Sequence, residues 1–591
     1  MTDKRVKAFA QALYQELTTH TRTKKTLENA FQADKLAPPR LQKLKERLAK
    51  QLNLATLPSN ATILLNLTPG QAKNAKHVLS TKPVRSISGV NIVAIMTSPA
   101  RCPHGKCTYC PGGLSSSFGD VPQSYTGREP ASQRGARLSY DAYLQVMNRL
   151  AQYLIAGHEL SKTEVIVMGG TFPSRPVEYQ QRFIADAFQA LNDFSSLFYD
   201  AKGNITISKL KDVFKLPGAF SNKERQRTVI ETLKHIQQTS LNTSGLANDL
   251  ESDKRVAYEH ERNERAKVRC VGLTVETRPS PDILEQANLA LAYGATRIEL
   301  GVQTLSENVL AYVHRGHTLE DTKNSLRVLK DLGFKINAHM MLGLPLTTPE
   351  EDVRHLKQLF ADPHFRPDML KIYPTLVLKG THLYQLYQQG HYRPLTTMQA
   401  AEIIARAKPH VPRWCRIMRV QRDIPSTLTE EGPSTNLRQV VKSLLAQRGT
   451  SCQCIRCREI KDETPTQPRL EVTTYQAQEG TEFFLALNNK PTDKLIGFCR
   501  LRFPSQCLRP EITPSTGIIR ELHVYGKATP LQKTGDVQHR GFGKTLLQEA
   551  ERICKANNKT KVLVIAGIGV RSYYAKLGYH KEGPYMAKHL T

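Results

Sequence analysis

The chain has no uninterrupted apolar run long enough to cross a bilayer, and its first residues lack the apolar core of a secretory signal. It is also short of acidic residues, with 53 Asp and Glu against 83 Lys and Arg. We therefore expect a cytoplasmic protein with no membrane partner. Since that compartment is reducing, its 11 cysteines would serve as ligands or core residues rather than in disulfides.

The formal net charge of +30 indicates a polyanionic partner, and nucleic acid is the usual one. The first fifty residues alone hold twelve Lys and Arg against five Asp and Glu. In this segment Val6, Phe9, Leu13 and Leu17 recur at helical spacing, and a second helical pattern follows at residues 38–52. The sequence therefore predicts a basic helical arm over residues 1–80, suited to a phosphate backbone or to packing on the main body.

Residues 81–424 alternate short β-branched runs with helical patterns, six times over. Because no G-x-G-x-x-G turn follows the first run, a partial (β/α)6 barrel of the α/β class fits better than a dinucleotide-binding fold. Residues 196–266 interrupt the alternation with charged sequence and predict an inserted helical subdomain. The six runs are GVNIVAIMTS, EVIVMGG, VRCVGLTVET, RIELGVQT, KINAHMMLGLP and MLKIYPTLVL.

A polar linker follows at residues 425–465 and contains Cys452, Cys454 and Cys457. Their C-x-C-x2-C spacing predicts a structural zinc site between domains, with buried free thiols as the alternative. Beyond the linker, antiparallel-type strands lead into a Gly-rich turn, a helix, a strand and a last helix. Residues 466–591 therefore read as a separate α+β domain.

Three other cysteines, Cys102, Cys107 and Cys110, lie within nine residues and have no fourth cysteine near them. Three thiolates suit a 4Fe–4S cluster with one open iron, whereas His104 would complete a zinc site of three Cys and one His. The C-x4-C-x2-C spacing leaves both readings open. The loop directly follows the first predicted strand, at the barrel end that carries the chemistry of such folds.

Two features at the same barrel end favour the cluster. Gly169 and Gly170, with Thr171 after them, end the second strand and allow a backbone to approach a ligand closely. Glu276 ends the third strand, where its carboxylate can accept from ribose hydroxyls or an amino group. A structural zinc site needs no ligand-sized opening at the end of a barrel.

The C-terminal domain carries a separate ligand motif. Gln538, Gly541 and Gly543 fit a Q/R-x-x-G-x-G/A loop that opens a helix, and its N–H groups suit the pyrophosphate of CoA. Tyr573 and Tyr574 are core aromatics or bind a leaving thiolate. The predicted acetyl-CoA contacts in this domain are Glu521, Leu522, His523, Val524, Gln538, Gly541, Phe542, Gly543, Lys544 and Tyr574.

Several long segments resemble those of a known family. The cysteine loop with its PGG, PQSYTGREP, VIVMGGTFPS, TVETRPSPD, RIELGVQ, KIYPTLVLKGT and QRDIP is similar to the radical S-adenosylmethionine (SAM) core of Elongator catalytic subunits. RELHVYG, QHRGFGKTLLQEAERI and YYAKLGY resemble the GNAT-type acetyltransferase domain of the same family. The likeness covers most of residues 80–591, and the short gap between Cys102 and Cys107 is typical of prokaryotic-type members. The insertion at 196–266 has no counterpart in the eukaryotic pattern.

The resemblance implies an enzyme that installs a carboxymethyl-type group at C5 of the wobble uridine in the tRNA anticodon loop. The three loop cysteines would hold a 4Fe–4S cluster, and SAM would chelate its open iron and yield a deoxyadenosyl radical. In the family's proposed mechanism this radical takes hydrogen from the methyl of acetyl-CoA, and the carbon radical adds to the uridine. Lys162 matches a family lysine near acetyl-CoA, and the family pattern favours Tyr574 at the thioester.

Two other hypotheses come from different classes. One is a protein lysine acetyltransferase with a scaffold barrel, against which the charge and the loop cysteines argue. The other is a zinc-stabilised RNA-binding protein without catalysis, against which the CoA loop and tyrosines argue. Under the leading hypothesis the partners are acetyl-CoA and tRNA, which the arm at 1–80 would also bind. The sequence is compatible with a homodimer and with accessory subunits.

Overall fold

Two seven-stranded sheets organise the chain, one wholly parallel and one mixed. The structure is a computed structural model and describes residues 2–19, 38–79, 89–218, 222–243, 252–461, 463–526 and 541–590. Among the helices of these segments, none is both long and apolar enough to cross a membrane.

The N-terminal segment is helical, as its apolar periodicity predicts. Phe9, Leu13 and Leu17 are buried and Val6 is half-buried, so the predicted stripe forms a small core with the following helices. Leu65 packs into the main core and attaches this layer to the barrel. The helices are α1 (Thr2–Thr19), α2 (Pro38–Gln51), α3 (Asn60–Asn66) and α4 (Pro69–Leu79).

The parallel sheet is an open half-barrel in the order β1-β4-β5-β6-β7-β8-β10. The six predicted strands are present, and a seventh, β10, adds to one edge. Two short antiparallel pairs, β2–β3 and β9–β11, lie outside it. The strands are β1 (Asn91–Met96), β2 (Gly113–Ser116), β3 (Gly119–Val121), β4 (Lys162–Met168), β5 (Arg269–Thr277), β6 (Ala295–Gln303), β7 (Lys335–Leu342), β8 (Met369–Pro374), β9 (Val377–Leu378), β10 (Arg416–Arg419) and β11 (Thr429–Glu431).

Helices cover the outer face of the half-barrel. The predicted insertion contains helices whose apolar residues, including Phe214, Val229 and Val256, join the main core. The predicted polar linker also contains a helix, α17. The helices are α5 (Pro130–Arg137), α6 (Ala142–Ile155), α7 (Val177–Phe198), α8 (Ile207–Phe214), α9 (Lys223–Thr243), α10 (Ser252–Arg265), α11 (Ile283–Ala292), α12 (Glu307–Tyr312), α13 (Leu319–Asp331), α14 (Pro349–Ala361), α15 (His382–Gln388), α16 (Thr397–Ala407), α17 (Leu437–Gln447) and α18 (Ile455–Arg458).

The mixed sheet forms the C-terminal domain in the order β12-β13-β14-β15-β16-β18-β17, with only the β15–β16 pair parallel. The helix α19 packs on it through Leu546, Leu547 and Ala550. The elements are β12 (Pro468–Ala477), β13 (Gly480–Asn489), β14 (Lys494–Phe503), β15 (Thr516–Val524), α19 (Phe542–Ala556), β16 (Lys561–Val564), α20 (Arg571–Ala575), β17 (His580–Glu582) and β18 (Tyr585–His589).

A buried ionic cluster joins the two domains. Arg520, on β15, donates to both carboxylate oxygens of Asp368, at 2.8 and 2.6 Å, and to Glu482 at 2.7 Å. Arg502 donates to Asp331 at 2.7 Å. Because these side chains are at most 1% exposed, their pairing fixes the orientation of the C-terminal domain on the half-barrel.

Candidate active site

One cavity of about 1640 Å³ extends from the carboxyl ends of the parallel strands, through the half-barrel, to the C-terminal domain. One end is lined by Cys102, Cys107 and Cys110, hereafter the loop triad. The other end is lined by the segment 541–544 and by Tyr574. The sites predicted separately in the two domains therefore share one continuous cavity.

The loop triad follows β1, as the sequence predicts. Backbone bonds hold the loop across the carboxyl ends of the strands, since Thr108 N–H donates to the Val313 carbonyl at 3.1 Å. The Thr108 carbonyl in turn accepts from Leu383 N–H at 2.9 Å. Cys107 and Cys110 are buried, and Cys102 is half-buried and faces the cavity.

The His104 ring lies between two of the thiols, with Nδ1 3.3 Å from Cys102 Sγ and Nε2 3.2 Å from Cys107 Sγ. Within the described residues, however, the loop triad forms no group of ligand atoms that all lie within 4.8 Å of one another. Ligands of a single zinc ion converge more closely than that, whereas a four-iron cluster holds its thiolates further apart.

A cationic side chain lies beside the thiols and was not identified from the sequence. Arg315 NH1 lies 3.8 Å from Cys107 Sγ, and its NH2 donates to the Gly301 carbonyl at 2.9 Å. Thr171 Oγ1 lies 3.8 Å from Cys102 Sγ, which brings one predicted residue to the triad. Burial raises the pKa of Cys102, and Thr171 and Arg315 oppose this shift.

The two predicted glycines have backbones that other residues adopt rarely, with φ of +131° at Gly169 and +97° at Gly170. A Cβ on Gly170 would lie 2.6 Å from Gln123 Cβ, and one on Gly169 would collide with Thr97 Oγ1. The close approaches are therefore to Thr97 and Gln123, which precede and follow the cysteine loop, and a side chain at either glycine would have to displace them. Gly170 also lines the cavity.

Glu276, at the end of β5, faces the cavity beside these glycines. It accepts from Tyr125 Oη at 3.0 Å and from Gly169 N–H at 3.4 Å. Burial raises the pKa of Glu276 to about 7, against the opposing effect of Lys371. A carboxyl group with this pKa changes its charge near neutral pH.

The lumen of the half-barrel carries a cluster of charged side chains among its apolar lining. Glu299 accepts from His339 Nε2 at 2.6 Å and pairs with Lys371. Arg297 bridges Glu299, at 3.7 Å, and Glu164, at 2.5 Å. Although burial would raise it, Lys371 and His339 hold the pKa of Glu299 well below its usual range. This network was not predicted, since the residues sit in ordinary strand patterns.

Lys162 begins β4 and lines the opposite, N-terminal end of the lumen, towards the C-terminal domain. Burial lowers its pKa, and Glu159 opposes the shift. Six residues of extended strand separate Lys162 from Met168, roughly 20 Å. The structure thus brings Lys162 to the acetyl-CoA motif and keeps it away from the loop triad.

The predicted acetyl-CoA contacts meet at this end. The strand β15 pairs with β16 only over Thr516–Ile519, so its last residues, Glu521–Val524, keep one edge unpaired and line the cavity. The segment 541–544 opens α19 and lines the same space. Gln538 lies outside the described residues.

Tyr573 and Tyr574 both line the cavity. The Tyr574 ring is buried between those of Tyr573 and Tyr579, at centroid distances of 5.2 and 5.8 Å, and burial raises its pKa. Tyr573 is 41% exposed, and its hydroxyl lies against Gly543. The geometry therefore leaves both tyrosines able to reach a ligand on α19.

The linker cysteines Cys452, Cys454 and Cys457, hereafter the interdomain triad, bring their sulfurs within 4.8 Å of one another. They lie between the domains, because Ile455 N–H donates to the Cys415 carbonyl and Ile460 N–H to the Leu495 carbonyl, both at 2.9 Å. The described residues supply no fourth Cys, His, Asp or Glu within that distance. This geometry fits three zinc ligands.

A parallel half-barrel with a cysteine loop at its carboxyl end, joined to a sheet with a CoA-type helix, defines a radical SAM enzyme with an acetyltransferase domain. Family profiles agree with this class. They match the ELP3 N-terminal domain at residues 12–87, the Radical SAM superfamily at 219–359, the Radical_SAM C-terminal domain at 367–447 and the Acetyltransferase (GNAT) family at 454–579.

The chain belongs to the Elp3 family. It is 42% identical to the "tRNA uridine(34) acetyltransferase" of Methanocaldococcus jannaschii over 90% of each chain, and 36% identical to human "Elongator complex protein 3" over 93% of each. The solved structure of Methanocaldococcus infernus Elp3, with an N-terminal deletion, superposes with a TM-score of 0.65 at 35% identity. It covers 85% of this chain and 100% of that one.

Proposed function

We propose that this protein modifies the wobble uridine of tRNA at C5, using acetyl-CoA and a radical derived from SAM. The observation that carries the proposal is the shared cavity, which joins the loop triad to the acetyl-CoA motif. The names of archaeal relatives, at 41% and 42% identity, support the substrate. The carboxymethyl-type product is the finer part of the proposal and follows from the use of the acetyl methyl carbon.

The loop triad fits a 4Fe–4S cluster better than a single zinc ion, because its three sulfurs do not all lie within 4.8 Å of one another. When bound, such a cluster would reduce SAM and supply the radical that removes hydrogen from the acetyl methyl group. Gly169, Gly170 and Thr171 would hold SAM beside it. Glu276 would accept from the ribose or the amino group of SAM, as its position in the cavity allows.

The C-terminal domain would hold acetyl-CoA at the other end. The N–H groups at the start of α19 suit the pyrophosphate, and the unpaired edge of β15 suits the pantetheine amides. Tyr574 would bind or protonate the thiolate that leaves, and Lys162 would lie near the thioester. Both side chains line the same cavity.

The charge of the chain supports tRNA as the second substrate. The N-terminal helices α1 to α4 would add phosphate contacts, and the interdomain triad would hold structural zinc. The described residues of the acetyltransferase domain show no geometric feature that favours a protein substrate, since this end of the cavity opens into the half-barrel.

The test is anaerobic turnover by the reconstituted protein with SAM, acetyl-CoA and tRNA. Mass spectrometry of the digested tRNA should detect a carboxymethyl-type uridine at the wobble position. A matched tRNA with cytidine there should remain unmodified, and a loop triad variant with three serines should form no product. Acetylated lysine on added proteins, with unmodified tRNA, would contradict the proposal.

A further inference from the structure

The half-barrel is open on one side, between its edge strands β1 and β10. Side chains cap both edges. Tyr153 Oη and Arg134 NH2 donate to β1 carbonyls at 2.7 and 3.0 Å, and Arg456 NH1 donates to a β10 carbonyl at 2.9 Å. Because these carbonyls are already bonded to side chains, they cannot pair with a further strand, and the residues that the structure describes leave the gap between β1 and β10 open. We call this opening, between these capping residues, the lateral slot.

Both ends of the lumen are covered. At the carboxyl end, the cysteine loop is bonded across the strands, and Arg422 donates to the Ser124 carbonyl beside it. At the other end the C-terminal domain packs directly on β5, where a Cβ on Gly569 would lie 2.5 Å from Arg269 Cβ. The lateral slot is therefore the side from which a large substrate can present one nucleotide to the lumen.

The rims of the lateral slot carry uncompensated positive charge. Arg134 and Arg149 lie on the β1 side, and Arg438 and Arg456 on the β10 side, all lining the cavity. None of these four forms an ion pair with any residue that the structure describes. Burial and the neighbouring Arg149 lower the pKa of Arg134 to about 10, which leaves it charged at neutral pH. Such a pair of rims suits a phosphate backbone passing between them.

An aromatic platform lies on the β1 rim. The Arg149 guanidinium sits 4.1 Å from the centroid of the Tyr153 ring, and its NH2 donates to Tyr153 Oη at 3.0 Å. The His158 ring meets Tyr153 edge-on at 5.5 Å. Guanidinium and aromatic faces are the surfaces on which proteins stack unpaired bases of RNA loops.

We propose that the lateral slot binds the single-stranded anticodon loop beside the target uridine. Arg438 and Arg456 contact loop phosphates on one rim, and the Arg149–Tyr153 stack holds a base adjacent to the uridine on the other. This proposal rests on the proposed function and assigns the side from which the uridine reaches the lumen. A duplex could not do this, since only a splayed nucleotide passes between two strand edges.

The experiment measures tRNA affinity across a salt series by fluorescence anisotropy, with the full-length protein. The double variant Arg438→Gln/Arg456→Gln should flatten the slope of log affinity against log salt by about 1.4, or ~0.7 per single-strand phosphate contact. Its control is Arg227→Gln/Arg354→Gln, which removes the same charge from exposed helix faces outside the cavity and should leave the slope unchanged.

A second pair tests the platform with no change in charge. Tyr153→Leu should weaken tRNA binding by at least about 5-fold at every salt concentration, whereas Tyr153→Phe keeps the ring and should bind as the wild type does. 2-Aminopurine placed next to the wobble uridine should be quenched on binding to the wild type and to Tyr153→Phe. It should remain bright with Tyr153→Leu.

The outcomes separate this proposal from the proposed function. If the wild type binds tRNA and modifies it, while both slot variants match their controls in slope, affinity and quenching, the lateral slot is not the RNA site and the function stands. If the wild type neither binds tRNA nor modifies it, both the proposed function and the proposed RNA site are refuted.

Discussion

The buried ionic cluster between the domains offers a sharp test of what holds them together. Asp368 accepts two bonds from Arg520, at 2.6 and 2.8 Å, and one from Ile336 N–H at 2.9 Å. Lys330 and Arg500 lie 3.8 and 3.6 Å from the same carboxylate. These contacts hold the pKa of Asp368 well below its usual range, against the effect of burial.

The cluster is neutral, with four cations and four carboxylates. Asp368→Asn keeps the shape but leaves four cations against three carboxylates, with no water to screen them. Breaking a buried pair in this way costs about 3–5 kcal/mol of unfolding free energy. The cations are Lys330, Arg500, Arg502 and Arg520, and the carboxylates are Asp331, Asp368, Glu482 and Glu521.

The single tryptophan of the chain reports on this interface. Trp414 is buried, stacks on Tyr475 at 4.4 Å, and accepts from Arg500 through its carbonyl at 2.8 Å. Urea unfolding followed by tryptophan fluorescence should therefore show the loss directly for Asp368→Asn. Because the pKa of Asp368 is depressed in the folded protein, its contribution to the unfolding free energy is fully present above the unfolded pKa of about 4. That contribution should be lost as the pH falls below this value.

A matched exposed pair supplies the control. Asp493 accepts two bonds from Arg413, at 2.6 and 2.9 Å, but the two side chains are 52% and 40% exposed. Asp493→Asn should cost less than about 1 kcal/mol, since water and salt screen the pair. Equal losses for the two variants, or a loss under about 1 kcal/mol for Asp368→Asn, would refute the view that burial makes this cluster decisive.

Four further predictions concern the sites. Serine at all three positions of the loop triad should remove the iron and SAM cleavage, while the protein keeps its fold by circular dichroism. Metal analysis should find about one zinc per chain, which serine at the interdomain triad should abolish. Tyr574→Phe should slow tRNA-dependent acetyl-CoA hydrolysis more than it weakens acetyl-CoA binding, and more than Tyr573→Phe does. SAM affinity should rise between pH 6 and 8 as Glu276 ionises around its pKa of about 7, and Glu276→Gln should be flat over that range.

Each of these has a contrary result. Full iron content in the serine variant of the loop triad would remove it as the cluster site. Zinc absent from the native protein, with the interdomain triad freely alkylated, would contradict the zinc assignment. A rate of acetyl-CoA hydrolysis unchanged by Tyr574→Phe would reject the role given to Tyr574. A SAM affinity that does not vary with pH in the wild type would reject the role given to Glu276.

Local sequence determines much of the fold and some of the site. The runs of the half-barrel are short and β-branched, so both their number and the position of the cysteine loop follow from the pattern. The seventh strand, Arg416–Arg419, is too short and too charged to be recognised, and the edge strand Pro468–Ala477 is largely exposed. The helix Leu437–Gln447 lies within the segment predicted as a polar linker, because flanking polar residues obscure its apolar stripe.

Tertiary context decides the rest. Gly169 and Gly170 are predicted to let a backbone approach a ligand closely, and the structure adds that Thr97 and Gln123, which precede and follow the cysteine loop, lie against them. The predicted run RIELGVQT contains Arg297 and Glu299. Their charges are explained only by the folded half-barrel, in which neighbouring strands bring charged side chains together in one lumen. Long-range pairing of this kind leaves no local signal, because each side chain alone looks like an ordinary solvent-facing strand residue.

Under the proposed function, the length and polarity of the lumen bear on how two distant sites could act on one substrate. Lys162 at one end of β4 and Gly169 at the other are separated by roughly 20 Å, so the ends cannot react directly. Most barrels fill this space with apolar side chains, whereas here Glu299, His339 and Lys371 line it. Because these groups neutralise one another, their burial is tolerated and the passage can stay open to a polar arm. Under the proposed function, an acetyl group on CoA anchored at α19 would extend into the lumen to meet the SAM end, where the lateral slot would bring the uridine.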